Sequence, residues 1–218
     1  MSSGIQSLRP TVAMILAVFL GLPGIAPAQA SPASGAPAAG AEVIRLRGTV
    51  ESMQDGVMTL KERSGKTLHI EFRDNTGVQE IFPIDFATIK PGAVVGTTGL
   101  PQADGALRAI EVRLFPAESG GPPEGQRSSD LQPGSILANG HVLGVVATAH
   151  QRQIQLNVQN EKKSILVPDD APVTSYRAGN IGMLKPGAKV YLHVTQAGPD
   201  QYRAASATVG ANGMTPPQ

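Results

Sequence analysis

Apolar and polar residues alternate in several short segments of this chain, and this alternation is the strongest structural signal in the sequence. In the segment 44–50, isoleucine, leucine, glycine and valine alternate with polar residues. Because successive side chains of a strand point to opposite faces, a period of two predicts a strand with one buried face. The same period recurs in 67–73, 154–158 and 190–194. The pattern therefore predicts an all-β protein.

Glycine-containing pairs separate many of these segments and indicate tight turns. Asp-Gly or Ser-Gly pairs, which supply the positive φ that hairpins need, lie at 55–56, 64–65 and 104–105. A Pro-Gly pair, which suits the central positions of a type II turn, lies at 91–92 and again at 186–187. The residues before each Pro-Gly pair, Ile84–Ile89 and Ala178–Leu184, each predict one short helical turn.

The second half of the chain repeats features of the first half. Residues 89–95, Ile-Lys-Pro-Gly-Ala-Val-Val, reappear at 184–190 as Leu-Lys-Pro-Gly-Ala-Lys-Val. Apolar positions on both sides of this motif recur at nearly the same spacing. Internal repeats decide the architecture, so we interpret the body as two copies of about 75 residues, 42–116 and 135–213.

Each copy contains five predicted strands, with a short helical or irregular stretch between the third and the fourth. This layout is typical of a small closed barrel of the oligonucleotide/oligosaccharide-binding (OB) type. We therefore predict two tandem OB-like five-stranded barrels, joined by the Pro/Gly/Ser-rich linker 117–134. Two small meanders stacked into one sandwich are the alternative fold, and an ordered strap is the alternative for the linker.

The first thirty residues resemble a secretory signal peptide. Arg9 precedes an apolar run, 11–22, that ends before Pro23-Gly24, and Ala28-Gln29-Ala30 follows as a small-residue cleavage site. An uncleaved anchor is the rival interpretation, but the run is shorter than the ~20 apolar residues that span a bilayer. We expect a cleavable signal, 1–30, a disordered Ala/Pro/Gly spacer, 31–41, and a periplasmic or secreted protein.

Composition and charge exclude several classes of function. The chain has 18 Lys and Arg residues against 17 Asp and Glu, and loss of Arg9 with the signal makes the mature protein formally neutral. Neutrality argues against nucleic acid as a partner, because that affinity depends on clustered cations. The absence of cysteine excludes disulfides, thiolate metal sites, a cysteine nucleophile and a lipidated cysteine.

The search for catalytic and cofactor motifs finds no candidate. Nucleophile elbows, P-loops and dinucleotide-binding glycine motifs are all missing, so no catalytic residue and no cofactor is predicted. The four histidines lack the spacing of a zinc or copper site. Only His141, His150 and His193, which share the second copy, are weak metal candidates. The acidic pair Asp169-Asp170 is interpreted as a turn cap.

Several segments resemble a group of uncharacterised exported bacterial proteins that carry a domain of unknown function. The segments concerned are Arg47–Ser52, Ile89–Gly96, Leu100–Gly105, Arg108–Val112 and Leu114–Pro116, and the resemblance extends over most of 43–213. It implies a tandem small-barrel envelope protein with no established activity. Some members bear the label metal ABC transporter permease. One departure lies in the linker, where relatives have His-Arg-Pro-Trp-Asp-Leu and this chain has Gln126–Leu131.

Together these features predict a non-enzymatic exported module that binds an unknown envelope protein or polymer. The alternative is a periplasmic protein that handles copper or zinc, and an enzyme acting on envelope polymers comes third. Nucleic acid is not expected as a partner, and stable membrane insertion is not expected after signal cleavage.

Overall fold

The computed structural model describes residues 42–148 and 151–216, and the predicted signal 1–30 and spacer 31–41 lie outside them. The described chain is all-β, as predicted. Its thirteen strands are β1 Ile44–Gln54, β2 Val57–Glu62, β3 Thr67–Glu71, β4 Gly77–Pro83, β5 Val94–Pro101, β6 Leu107–Phe115, β7 Gly125–Ser128, β8 Ile136–Thr148, β9 Gln151–Val158, β10 Glu161–Leu166, β11 Val173–Ala178, β12 Lys189–Gly198 and β13 Gln201–Gly210. The two predicted helical turns are 3₁₀ helices, Phe86–Thr88 and Ile181–Met183.

Five strands from the two ends of the chain close the first barrel, which we call ring A. The meander β1-β2-β3 is antiparallel, β3 pairs in parallel with β13, and β13 pairs with β12. The hairpin partner β12 then pairs antiparallel with β1, from Ile44 opposite Val194 to Thr49 opposite Lys189. The circuit therefore takes three strands from the first copy and two from the second.

Five internal strands pair in the same circular order, which we call ring B. The meander β8-β9-β10 is antiparallel, β10 pairs in parallel with β6, and β6 pairs with β5. Strand β5 returns antiparallel to β8, from Val94 opposite His141 to Gly99 opposite Ile136. Ring B thus takes three strands from the second copy and two from the first.

The structure differs here from the expectation that each copy closes its own barrel. Each copy has six strands, and the sixth, β4 or β11, lies where an irregular connection was predicted. Strand β4 pairs with β13 and β11, while β11 pairs with β4 and β6. These two strands form a bridge between the rings, and each carries the chain from one ring into the other. Neither of the predicted ranges, 42–116 and 135–213, contains all the strands of one ring.

Each ring encloses its own hydrophobic core, and each core combines residues of both copies. Val50, Met58 and Leu60 pack with Leu192 and Val209 in ring A, among other buried residues. Ring B buries a second hydrophobic cluster, whose members include Val95, Leu107, Val112, Ile154 and Leu156. Burial of each such side chain stabilises the folded state by about 1.5–3 kcal/mol. Ring A therefore depends on the hairpin β12–β13 of the second copy, and ring B on the hairpin β5–β6 of the first.

The linker is ordered where it crosses ring B. Strand β7, Gly125–Ser128, pairs antiparallel with the first residues of β8. Farther along the linker, Asp130 Oδ2 lies 3.6 Å from Arg47 Nη1 of ring A. This segment therefore contacts both rings, which agrees with the strap alternative.

Candidate functional site

The predicted metal candidates lie in different rings. His141 belongs to β8 of ring B and His193 to β12 of ring A, and His150 lies outside the described residues. His141 Nε2 is 3.3 Å from Glu124 Oε1, whereas His193 Nδ1 is 3.1 Å from Ser206 Oγ. Within 42–148 and 151–216, no group of three or more His, Asp or Glu side chains is placed to hold a metal ion. Copper or zinc handling by these histidines stays a prediction.

A different set of residues meets where the outer faces of the two rings approach each other. In ring A, Arg47 and Tyr191 point away from the core because their neighbours on β1 and β12 fill it. In ring B, Glu111 and Arg113 occupy the corresponding outer face of β6. These four residues, with Tyr176 of the bridge, form the inter-ring cluster.

A bulge in β6 places Glu111 and Arg113 in the cluster. Thr98 pairs with Glu111 but the next residue, Gly99, pairs with Ala109, so Ile110 is an extra residue in β6. An extra residue reverses the alternation of a strand. Before the bulge, the odd-numbered residues Leu107 and Ala109 face the core of ring B. After it, the even-numbered Val112 faces the core instead. The sequence carries this signal as the apolar doublet 109–110 followed by two charges at alternate positions.

Glu111 and Arg113 form a buried ion pair. Glu111 is 2% exposed and Arg113 is 6% exposed. Glu111 Oε1 accepts a hydrogen bond of 2.9 Å from Thr98 Oγ1 and lies 3.5 Å from Arg113 Nε. Burial raises the pKa of the Glu111 carboxyl, although Arg113, the Thr98 hydrogen bond and Arg47 act in the opposite direction.

Aromatic rings surround these charges. The Arg47 guanidinium lies 4.9 Å from the centroid of the Tyr191 ring, a distance typical of a cation–π contact. Tyr176 stacks on Phe115 with 5.5 Å between the ring centroids. Burial is the main cause of a raised pKa for both Tyr176 and Tyr191, so their hydroxyls stay protonated and can donate hydrogen bonds.

Unpaired polar atoms are concentrated in this region. In the part of the chain that the structure describes, four buried side-chain atoms have no hydrogen-bond partner, namely Arg47 Nη2, Glu111 Oε2, Arg113 Nε and Asn139 Oδ1. Buried polar atoms without partners are rare in native proteins, so a cluster of them requires an explanation, such as a bound water, ion or ligand. Arg47 and Glu111 line one cavity of the protein, and Arg113 and Asn139 line a second one.

The larger cavity, of 720 Å³, is the Glu111 cavity, and it lies between β1, β2 and β12 of ring A and β6 of ring B. Four cationic residues line it, which are Arg47, Lys61, Arg63 and Lys189. Its other walls include Ile110, Leu131, Pro172 and Val190, together with Glu62 and Glu111. The cavity therefore combines an apolar wall with an excess of positive charge.

The smaller cavity, of 190 Å³, is the Arg113 cavity. Three arginines line it, which are Arg45, Arg113 and Arg127, and none of its lining residues is acidic. The rest of its polar wall consists of Gln79, Asn139, Tyr176, Tyr191, His193 and Thr208. Burial, assisted by Arg45, lowers the pKa of the His193 imidazole.

Comparisons with known proteins assign no family, since no protein-family model, curated protein or solved structure matches the chain. Among the described residues, no helix has the length and apolar character needed to cross a bilayer.

Proposed function

We propose that the protein is a non-enzymatic exported binding module whose ligand lies in the Glu111 cavity. The observation that carries this proposal is the cavity itself, whose 720 Å³ falls in the range typical of small-molecule sites. The predicted signal peptide supports export. The ligand belongs to an envelope protein or polymer, or is a small molecule of the same compartment.

The lining of the cavity indicates the chemical class of the ligand. Ile110, Val190 and Pro172 offer an apolar surface, while Lys61 and Lys189 offer ammonium groups at its edge. Such a wall fits an amphiphile that has an anionic group and an apolar body. Lys189 Nζ donates a 2.7 Å hydrogen bond to Thr49 Oγ1, which holds its charge beside the cavity.

The order of strands supports an OB-like description of both rings. In each ring a three-stranded meander is followed, through a parallel pairing, by a hairpin that returns to the first strand. This is the closed Greek-key order of OB barrels, whose outer faces and loops bind ligands in many proteins. Fold alone does not specify a ligand, so the proposal depends on the cavity.

Titration calorimetry with two surfactants of opposite charge tests the proposal. We expect decanoate to bind and decyltrimethylammonium not to bind, because the cavity has four cationic residues against two acidic ones. Removing one cation, as in Lys61→Gln or Lys189→Gln, should weaken decanoate binding about fivefold, which corresponds to ~1 kcal/mol.

The exposed Lys66 lies in the β2–β3 turn and does not line the cavity, so Lys66→Gln is the matched control and should bind decanoate normally. Equal binding of both surfactants, or no effect of Lys61→Gln and Lys189→Gln, would show that the cavity is not a site for amphiphilic anions.

A further inference from the structure

We propose that the Arg113 cavity is a second binding site, separate from the Glu111 cavity, and that it takes a small oxyanion group such as phosphate or carboxylate. Three arginines line a space of 190 Å³ that no acidic residue lines. A guanidinium presents donors in a planar fork that matches the oxygens of phosphate and carboxylate. The size of the cavity suits one such group.

The buried charges of the cluster show why an anion is favoured. Arg47 and Arg113 share one buried carboxylate, Glu111, and each guanidinium has a nitrogen without a hydrogen-bond partner. Asp130 is the other anion near Arg47, but its side chain is largely exposed at 68% and lies 3.6 Å away. A buried charge without full compensation is costly, and an added anion beside Arg113 would reduce that cost.

The groups around the cavity supply further donors. Tyr176 and Tyr191 keep their hydroxyl protons, and the two outer arginines, Arg45 and Arg127, are exposed and can adjust to a ligand. Arg113 is by contrast held in place by its position on β6 beside Glu111. The site thus has one buried guanidinium and two exposed ones.

Two residue pairs distinguish this site from the Glu111 cavity. In the pair Glu111–Arg113, the carboxylate lines the larger cavity and the guanidinium lines the smaller one. In the pair Arg47–Tyr191, the guanidinium lines the larger cavity and the ring lines the smaller one. The pairs therefore contribute to the wall between the cavities, and each cavity can be tested without the other.

Titrations of the full-length mature protein with inorganic phosphate and with acetate, at constant ionic strength, test the proposal. We expect at least one of these anions to bind, and the tighter one identifies the chemistry of the natural group. Arg45→Gln and Arg127→Gln should each weaken that binding about three- to tenfold. Both residues are exposed, so folding should be preserved, and circular dichroism checks this.

Arg73→Gln removes an exposed arginine that does not line the cavity and serves as the control. An equal loss of affinity in Arg73→Gln would show general electrostatic attraction and overturn the proposal, as would the absence of binding of both anions. The part of decanoate binding that Lys61→Gln and Lys189→Gln weaken should be unchanged in Arg45→Gln and Arg127→Gln, because neither arginine lines the Glu111 cavity. This readout separates failure of the oxyanion site from failure of the Glu111 cavity.

Discussion

At the scale of single residues, Glu111 is the group on which the electrostatics of the cluster depend. Its carboxyl contacts Thr98 and Arg113, and it is the acidic residue most deeply buried among those described. Because burial raises its pKa, the folded protein holds a proton on Glu111 at pH values where the unfolded chain has released it. This difference makes the contribution of Glu111 to stability depend on pH.

The stability contribution of Glu111 should be greatest at low pH and should fall as pH rises from its ordinary pKa of 4.5 to the higher value of the folded state. Glu111→Gln cannot ionise but keeps a similar shape. We therefore expect the Tm of this variant, relative to the wild type, to increase between pH 4.5 and pH 8. Thermal unfolding across this range measures the difference.

Glu51 is exposed, and Glu51→Gln is the matched control whose Tm difference should not follow this trend. A Tm difference between Glu111→Gln and the wild type that stays constant with pH would contradict the role assigned to this carboxyl.

At the scale of elements, two glycines allow the first strand of each meander to bend closely over its neighbour. A Cβ at Gly48 would lie 2.3 Å from the carbonyl oxygen of Lys61, and one at Gly140 would lie 2.0 Å from that of Asn157. Both obstructing atoms are backbone atoms of the paired strand, so neither can move aside as a side-chain tip would. In both rings, a glycine in the first strand of the meander thus permits the close approach to the second strand.

Replacement of either glycine by alanine should therefore destabilise the protein. We expect Gly48→Ala and Gly140→Ala each to lower the free energy of unfolding by about 1–3 kcal/mol, the cost typical of overpacking. Gly144 also lies in β8, but no atom lies within 4 Å of a Cβ placed there, so Gly144→Ala is the control. Urea denaturation compares the three, and equal stabilities would disprove the close-approach argument.

The sequence predicted most of the strands, but it missed the bridge strands β4 and β11 and did not predict which strands pair. The alternation in 44–50 and 190–194 locates β1 and β12 correctly because it depends only on which face is buried. Both copies carry the same pattern, so a period of two cannot distinguish pairing within a copy from pairing between copies. Glu111 and Arg113 were missed for a related reason. A polar outer face normally meets water, but in this fold the outer face of one ring meets the other ring.

At the scale of the whole molecule, the exchange of hairpins makes the two rings mutually dependent. Ring A needs β12 and β13 from the second copy, and ring B needs β5 and β6 from the first. The bridge strands β4 and β11 add backbone hydrogen bonds between the copies. The two copies are thus joined by strand pairing as well as by the linker.

Cutting the linker should therefore leave the two copies associated. With a protease site inserted after Gly120, in an exposed part of the linker, the cleaved halves should co-elute in size-exclusion chromatography and unfold in one transition. Independent tandem barrels would instead give two smaller species under native conditions. Mass spectrometry of the eluted peak verifies that the linker has been cut.

The order of strands also sets the order in which the chain can fold as it is synthesised or exported from its N-terminus. All five strands of ring B have emerged once Leu166 is available, whereas ring A needs Gly210 at the end of β13. The first three strands to emerge must consequently wait for the last two. Assembly therefore proceeds from the middle of the chain outward, and β1–β3 remain without their closing partners until almost the whole polypeptide has emerged.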